Sequence, residues 1–381
     1  MKFRRSLART VAIARKEGLH IVRDPRSLIM ALAVPFVMLL LFGYALTLDV
    51  DRVPTLVYDH DRSPQSRELI ERFAGSRYFR ILGSVDEYSS IERSIDRDRA
   101  LLAVVIPADY SRNLLTSRPA EVQLLLDGSD SNTASIALGY AESLVQMYAF
   151  ELRARAIDRR GGQQLKPPVE TRLRVWYNSE LQSRNYIVPG LIAVILMIIA
   201  ALLTSLTIAR EWEMGSMEQL LSTPLRAHEL VLGKMLAYFA LGLIDMVASI
   251  AIGIQLFGVP LRGNPLLVLV SGGVFLVGAL FWGILVSALA RSQLLAYQLG
   301  MVTSYLPAFL LSGFIFAIES MPAVIQGITY IFPSRYFIMI LKGIFLKGVG
   351  IQVLWVDFAF LLAYASIVFV VATKKVGQKL A

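Results

Sequence analysis

Apolar runs of membrane length alternate with short polar stretches along this chain. Residues 27–48 carry no charge until Asp49. As a helix rising about 1.5 Å per residue, such a run reaches roughly 33 Å, enough for a bilayer core of about 30 Å. A signal peptide is the rival reading, but it needs a shorter apolar core and a small-residue cleavage site. Thr47-Leu48-Asp49-Val50-Asp51 follows instead, which favours a retained span. Five more candidates come later, at 187–209, 230–257, 266–290, 294–317 and 353–373. The pattern predicts an α-helical polytopic membrane protein with six transmembrane helices and an inserted α/β extracytoplasmic domain. Six crossings would return the chain to its starting side. The predicted division is 1–26 a surface helix, 27–48 a first span, 49–186 the extracytoplasmic domain and 187–381 five further spans.

Different periodicities mark the pieces outside these runs. Phe3, Leu7, Val11, Ala14, Gly18 and Val22 share one helical face, and Lys2, Arg5, Arg9, Lys16, His20 and Arg23 share the other. That is the pattern of a helix lying in a membrane surface with its cations at lipid headgroups. Asp24-Pro25 breaks it. Between residues 49 and 186, short apolar stretches at 55–58, 78–82, 101–106 and 122–126 read as buried strands. They alternate with helical stretches at 64–74, 86–97 and 109–115, which predicts a small α/β sandwich. Ser63-Pro64 suits a helix cap followed by a first-turn proline. A long helix over about 133–160 should end near Gly161-Gly162, and 170–177 should be extended. Later, Pro307 should kink the fifth run. Residues 320–350 hold an apolar stretch too short to cross, so 318–352 reads as a broken, interfacial hairpin on the outer side.

Composition narrows the function. With 381 residues, 55% hydrophobic and 18% charged, the chain is too apolar for an ordinary soluble enzyme. It has no cysteine, and its three histidines, His20, His60 and His228, are far apart, so neither thiolate nor histidine-centred metal or triad chemistry is indicated. The net charge of +9 comes from clusters flanking apolar runs: eight Lys and Arg in residues 1–26, then Lys374, Lys375 and Lys379. This is the placement of cytoplasmic ends and argues against nucleic-acid binding. Both termini are therefore expected in the cytoplasm of a bacterial inner membrane.

No stretch encodes catalysis. Gly233-Lys234 imitates the end of a phosphate-binding loop, but His228 stands where its first glycine belongs and Met235 replaces the required Ser or Thr. Asp127-Gly128-Ser129-Asp130-Ser131-Asn132 lacks the glycine and distal glutamate of a calcium loop, and a strand-ending turn with Ser131 or Asn132 as helix cap explains it more simply. No cofactor or metal site is expected. Asp245 falls midway along the third apolar run, where a charge costs about 2.5–3.5 kcal/mol even on the lenient scale. It is a candidate for a translocation path, with a structural hydrogen-bonding role as the alternative. Lys234 and Asp357 lie nearer run ends and read as structural, snorkelling groups. Ala279, Gly283 and Ser287 make a small-residue stripe suited to close helix packing, within the chain or across a dimer.

One polar segment stands apart. Arg210-Glu211-Trp212-Glu213-Met214-Gly215-Ser216-Met217-Glu218-Gln219-Leu220-Leu221-Ser222-Thr223-Pro224 is acidic, lies between two apolar runs and reads as a short helix ended by Pro224. Acidic residues contribute little to orientation, so its charge calls for a partner surface on the inner face.

Several stretches together carry a resemblance. They are Lys16-Glu17, Arg23-Asp24-Pro25-Arg26-Ser27, Pro35, Phe42-Gly43-Tyr44, Ile106-Pro107, Asp127-Gly128-Ser129-Asp130-Ser131, the 210–224 segment with Gly233-Lys234, and Pro333-Ser334-Arg335-Tyr336. In this order the chain resembles the permease subunits of type-2 ABC exporters, in the subgroup with a large outer domain between the first two spans. The resemblance implies that 210–224 is a coupling helix contacting a separate ATPase subunit, with Glu211, Glu213, Gly215, Glu218 and Pro224 at that contact. It implies that 1–26 is an elbow helix whose Arg5, Arg9, Lys16 and Arg23 meet membrane lipid. ATP and Mg²⁺ would sit on the partner ATPase. Two permeases, identical or not, would form the pathway, and the subgroup often works beside a periplasmic adaptor and an outer-membrane channel. Drug-like, amphipathic and ionic substrates all fit such families. An ion-gradient-driven secondary transporter and a membrane-anchored sensor or assembly protein remain the alternatives from other classes.

Overall fold

The computed structural model describes residues 2–45, 50–116, 118–159, 176–178, 182–290 and 292–380. The chain forms two compact units, one of residues 1–47 with 174–381 and one of residues 48–173. Helices α1 (Lys2–Arg23) and α2 (Pro25–Ala45) open the first unit.

The second unit runs β1 (Val53–Asp59), α3 (Pro64–Gly75), β2 (Phe79–Ser84), α4 (Tyr88–Ile95), β3 (Leu102–Ile106), α5 (Tyr110–Leu115), β4 (Gln123–Leu126) and α6 (Ser131–Arg159). The sheet order is β2-β1-β3-β4, with β1 parallel to β2 and β3, and β4 antiparallel to β3. The inner strands are near-continuous apolar runs because helices cover both faces. Phe73 of α3, Tyr110 of α5 and Ala137, Ala141 and Leu144 of α6 cover one face, and Ile91 of α4 covers the other. Ser63 caps α3 by accepting from Ser66 N, and Pro64 occupies its first turn. The turn at 127–130 spends its acids locally: Asp127 Oδ1 accepts from Ser129 N at 2.9 Å, and Asp130 Oδ1 from Thr133 N at 3.4 Å. The cap of α6 is thus Asp130, one residue ahead of the expected Ser131 or Asn132. The expected helix end at Gly161-Gly162, the extended stretch from 170 to 175 and Arg291 lie outside the described residues.

The first unit continues with α7 (Ser183–Glu213), α8 (Ser216–Leu221), α9 (Ala227–Gln255), α10 (Pro265–Leu289), α11 (Gln293–Leu310), α12 (Ala323–Thr329), α13 (Pro333–Lys342) and α14 (Ile351–Leu380). A helix apolar on all sides belongs inside a bundle. Helix α7 is such a helix, and α2, α9, α10, α11 and α13 pack around it. The stripe on α10 is what brings α10 and α7 together within this chain. A Cβ on Gly283 would collide with Thr204 Oγ1 and Ala201 O. Ser287 Oγ accepts from Ile208 N and Ala209 N, both at 2.9 Å, and Thr204 Oγ1 donates to Leu280 O at 3.0 Å. Gly377, near the end of α14, lies beside Ala227 at the start of α9, so α1 and the end of α14 share one end of the unit.

The expectation of six crossings is not met. Among the described residues, four helices are long and apolar enough to span a membrane: Ser183–Glu213, Ala227–Gln255, Pro265–Leu289 and Ile351–Gln378. A fifth is reached only if Ala323–Thr329 and Pro333–Lys347, bent by 84°, count as one span. Two expected runs are not among them. In 27–48, helix α2 closes at Ala45, and the apolar helix among its described residues is the shorter Ala31–Ala45. In 294–317, α11 stops at Leu310, three residues past Pro307, and Gln298, Thr303 and Ser304 dilute its apolar character. The α/β unit therefore precedes the first helix of crossing length and does not lie between a first and a second.

Candidate functional site

Helix α7 carries its axis past the apolar run to Glu213. Met214 and Gly215 then break it, Gly215 in the left-handed region at φ +70°, which glycine enters without steric cost. Helix α8 follows at a new angle to Leu221, and Ser222-Thr223-Pro224 leads into α9. The acidic 210–224 segment is thus the last turn of α7 plus α8.

Its acids do not share one role. Glu211 points inward and is buried, its Oε1 accepting from Lys16 Nζ at 2.6 Å and from Lys234 Nζ at 3.3 Å. Its other oxygen accepts from Ser216 Oγ, which fastens α8 to the end of α7. Glu213 is exposed and accepts from Gln293 N at 2.8 Å, tying the loop to the start of α11. Met214, Gly215 and Glu218 face outward. Pro224 is exposed, and its carbonyl accepts from Arg9 Nη1 at 2.5 Å.

The centre of this arrangement is Lys234, only 1% exposed. Its Nζ donates to Glu17 Oε1 at 2.8 Å, to Thr207 O at 3.3 Å and to Glu211. The reading of Lys234 as a snorkelling residue is therefore wrong: two turns into α9 it is enclosed by α1 and α7 and held by two carboxylates. Lys16, 3.8 Å from Glu17, brings the set to two cations and two anions, which leaves no net charge to bury. The phosphate-loop imitation has a packing explanation as well. A Cβ at Gly233 would stand 2.6 Å from Ile13 Cβ and 2.9 Å from Thr10 O, so the missing side chain lets α1 lie directly on α9. A second pair, Arg9 with the buried Glu229 at 3.6 Å, closes the contact nearer the start of α9.

Helix α1 is consequently two-sided. Thr10, Ile13 and Glu17 form its packed face, while Leu7, Val11 and Val22 of the expected stripe are 55%, 53% and 69% exposed. Arg5 and Arg23 are exposed as well. The periodicity located an apolar face, but that face looks away from the protein. Sequence reasoning missed Glu17, Ser216 and Thr207. The available signal was the lysine inside an apolar run, which needs a buried counter-charge from some other element.

Asp245 lies elsewhere, buried between α9, α7 and α10, and its Oδ2 has no hydrogen-bond partner among the described residues. It lines a small cavity with Leu196, Leu203, Tyr238 and Leu276. Leu203 and Tyr238 also line a second cavity, which reaches His20, Asp24 and Arg210 at the charged end.

The sequence matches the profile described as "ABC-2 family transporter protein" over residues 25–374. It is 37% identical over 361 residues to the probable multidrug ABC transporter permease YbhS of Escherichia coli, with 94% of each chain covered. It is 35% identical over 346 residues to the probable multidrug ABC transporter permease YbhR of the same organism, covering 90% of this chain and 91% of that one. To the inner membrane transport permease YhhJ it is 26% identical over 330 residues, covering 84% and 83%.

Removing one member of a buried ion cluster strands its partners, at about 3–5 kcal/mol. Lys234→Met is expected to destabilise the folded protein by about that much in denaturant unfolding in detergent. Adding Glu17→Gln should recover part of the loss, because Glu211 keeps Lys16. A midpoint unchanged by Lys234→Met would mean that the cluster holds nothing together.

Proposed function

The chain belongs to the ABC-2 family of transporters, and from that premise we propose that it takes its power from a separate ATPase subunit docked on the loop between α7 and α9. It is itself a non-catalytic, multi-pass membrane permease that moves substrates across a membrane. ATP and Mg²⁺ belong to the partner. In this reading residues 210–224 are the coupling segment, with Glu213, Gly215, Glu218 and Pro224 meeting the ATPase and Glu211 anchoring the segment from behind. Residues 1–26 are the elbow helix, its exposed Leu7, Val11 and Val22 dipping into lipid while Arg5 and Arg23 meet headgroups. Two permeases, two copies of this chain or this chain with a relative, enclose the path in a bacterial inner membrane, with the coupling end in the cytoplasm. The substrate class is drug-like, amphipathic or ionic. A periplasmic adaptor and an outer-membrane channel complete the export route.

One observation carries this reading. The cluster of Lys234, Glu17, Glu211 and Lys16 joins the elbow helix, the coupling segment and the start of α9 into a single block. A push on α8 passes through Ser216 and Glu211 to Lys234, so α9 cannot stay behind. When ATP brings two ATPases together, the blocks approach one another and the spans attached to them tilt. The path role of Asp245 rests on its buried carboxyl, whose Oδ2 has no hydrogen-bond partner among the described residues and which borders a small cavity.

Exchanging both Glu213 and Glu218 for lysine should leave membrane insertion intact and reduce ATP-driven efflux by an order of magnitude or more, measured in vesicles containing the ATPase. Efflux at the wild-type rate would remove the docking role. For Asp245, the leucine variant is expected to insert normally and hydrolyse ATP with its partner while efflux falls several-fold. Undiminished efflux would assign Asp245 to structure alone.

A further inference from the structure

The end of the membrane unit away from Lys234 carries cations without matching acids. Helix α9, about 43 Å long, ends there at Gln255. The loop that follows is pinned to the turn ahead of α14: Arg262 N donates to Phe345 O at 3.1 Å, and Gly263 N to Ile344 O at 2.9 Å. Gly348 closes that turn at φ +66°, and a Cβ on it would stand 3.4 Å from Arg262 Cβ. Arg262 and Lys347 thus sit on adjoining, mutually bonded backbones. Both are exposed, and neither side chain makes a hydrogen bond or ion pair among the described residues. Residues 256–266 and 343–356 contain no Asp or Glu. The acids of the neighbouring stretches face other cations: Asp357 interacts electrostatically with Arg335, and Glu319 with Lys342. Beside the pair, Leu266, Ile351 and Trp355 are exposed on the opening turns of α10 and α14. A tryptophan so placed belongs at headgroup depth.

We propose that Arg262 and Lys347 hold the phosphate of an anionic phospholipid whose acyl chains lie along Leu266, Ile351 and Trp355. The guanidinium can fork onto two phosphate oxygens, and the ammonium adds a second point charge. The exposed apolar flank favours a lipid over free phosphate, since only the lipid brings hydrocarbon to it. A zwitterionic headgroup gains less, because its own ammonium meets the same two cations. With the coupling end in the cytoplasm, these connections lie on the far side of the membrane, where Lys and Arg are normally sparse. A phosphate ligand accounts for two neighbouring cations being kept there with no acid beside them.

Val353→Cys, exposed on α14 near the pair, gives this cysteine-free chain a single site for a coumarin label. The labelled full chain is placed in phosphatidylcholine nanodiscs that contain an equal, minor fraction of phosphatidylglycerol or phosphatidylcholine spin-labelled at the same acyl carbon. Quenching is read at fixed ionic strength. No ATP or ATPase is present, so this outcome and that of the coupling proposal are independent. Spin-labelled phosphatidylglycerol should quench about twofold more than spin-labelled phosphatidylcholine. Arg262→Gln combined with Lys347→Gln, two exposed changes, should make the two lipids equal. Arg15→Gln removes an exposed cation from α1, at the opposite end of α14, and should leave the preference intact, as should excess inorganic phosphate. The proposal is overturned by equal quenching without the Gln changes, by a preference that survives Arg262→Gln with Lys347→Gln, or by an equal loss in Arg15→Gln. Loss of the preference to inorganic phosphate would also overturn it, by assigning the site to a free anion.

Discussion

A lysine ammonium shut away from water is the constraint on which the junction of α1, α7 and α9 is built. Lys234 is enclosed, and an unpaired charge there would cost several kcal/mol. Its position is tolerable only while Glu17 and Glu211 stay within reach, and those two residues belong to α1 and α7. Helix α1 therefore cannot lift from α9 without stranding a charge, and the end of α7 cannot turn without breaking the same set. Buried ion pairs are weak evidence for stability, since apolar residues of similar volume often hold a core as well. What such a set does provide is registry: one lysine fixes the mutual position of three helices. The close contact of α1 on α9, with Gly233 against Ile13 and the backbone at Thr10, lies beside the same set.

The rest of the membrane unit obeys a different rule. Lipid gives no hydrophobic reward for helix association, so close packing and shared hydrogen bonds decide it. Helix α7 is buried along most of its length, and small residues let neighbours approach: Gly283 of α10 sits on Thr204 and Ala201, and Gly300 of α11 sits near Ser205. The hydroxyls of Thr204 and Ser287 bridge the α7–α10 contact inside the apolar interior. A rigid α7–α10 core joined to a charge-locked block suits a machine that moves in large pieces.

Much of this was legible in the sequence, for physical reasons. The strands of the α/β unit are short apolar runs between turn signals, and they fall within a few residues of expectation. Ser63-Pro64 and Pro224 marked real boundaries. The polar segment between two apolar runs stood out for its acidity. The misreadings share a cause, since periodicity sees one helix at a time. It found the apolar stripe of α1 but not that Thr10, Ile13 and Glu17 would be the packed face. Lys234 looked like a residue near a span end because its partners lie more than twenty residues away or further, on other helices. The span count failed where apolar composition and helix length part company, as beyond Pro307 of α11, which stops at Leu310.

The absence of cysteine permits a direct measurement of whether the coupling end moves as one body. Spin labels on Leu19→Cys of α1 and Gln219→Cys of α8 report the distance within the block, and labels on Gln219→Cys and Val356→Cys report α8 against α14. With the ATPase bound, addition of ATP should leave the first distance unchanged and shift the second. A first distance that changes on ATP binding, with α8 moving away from α1, would contradict the account.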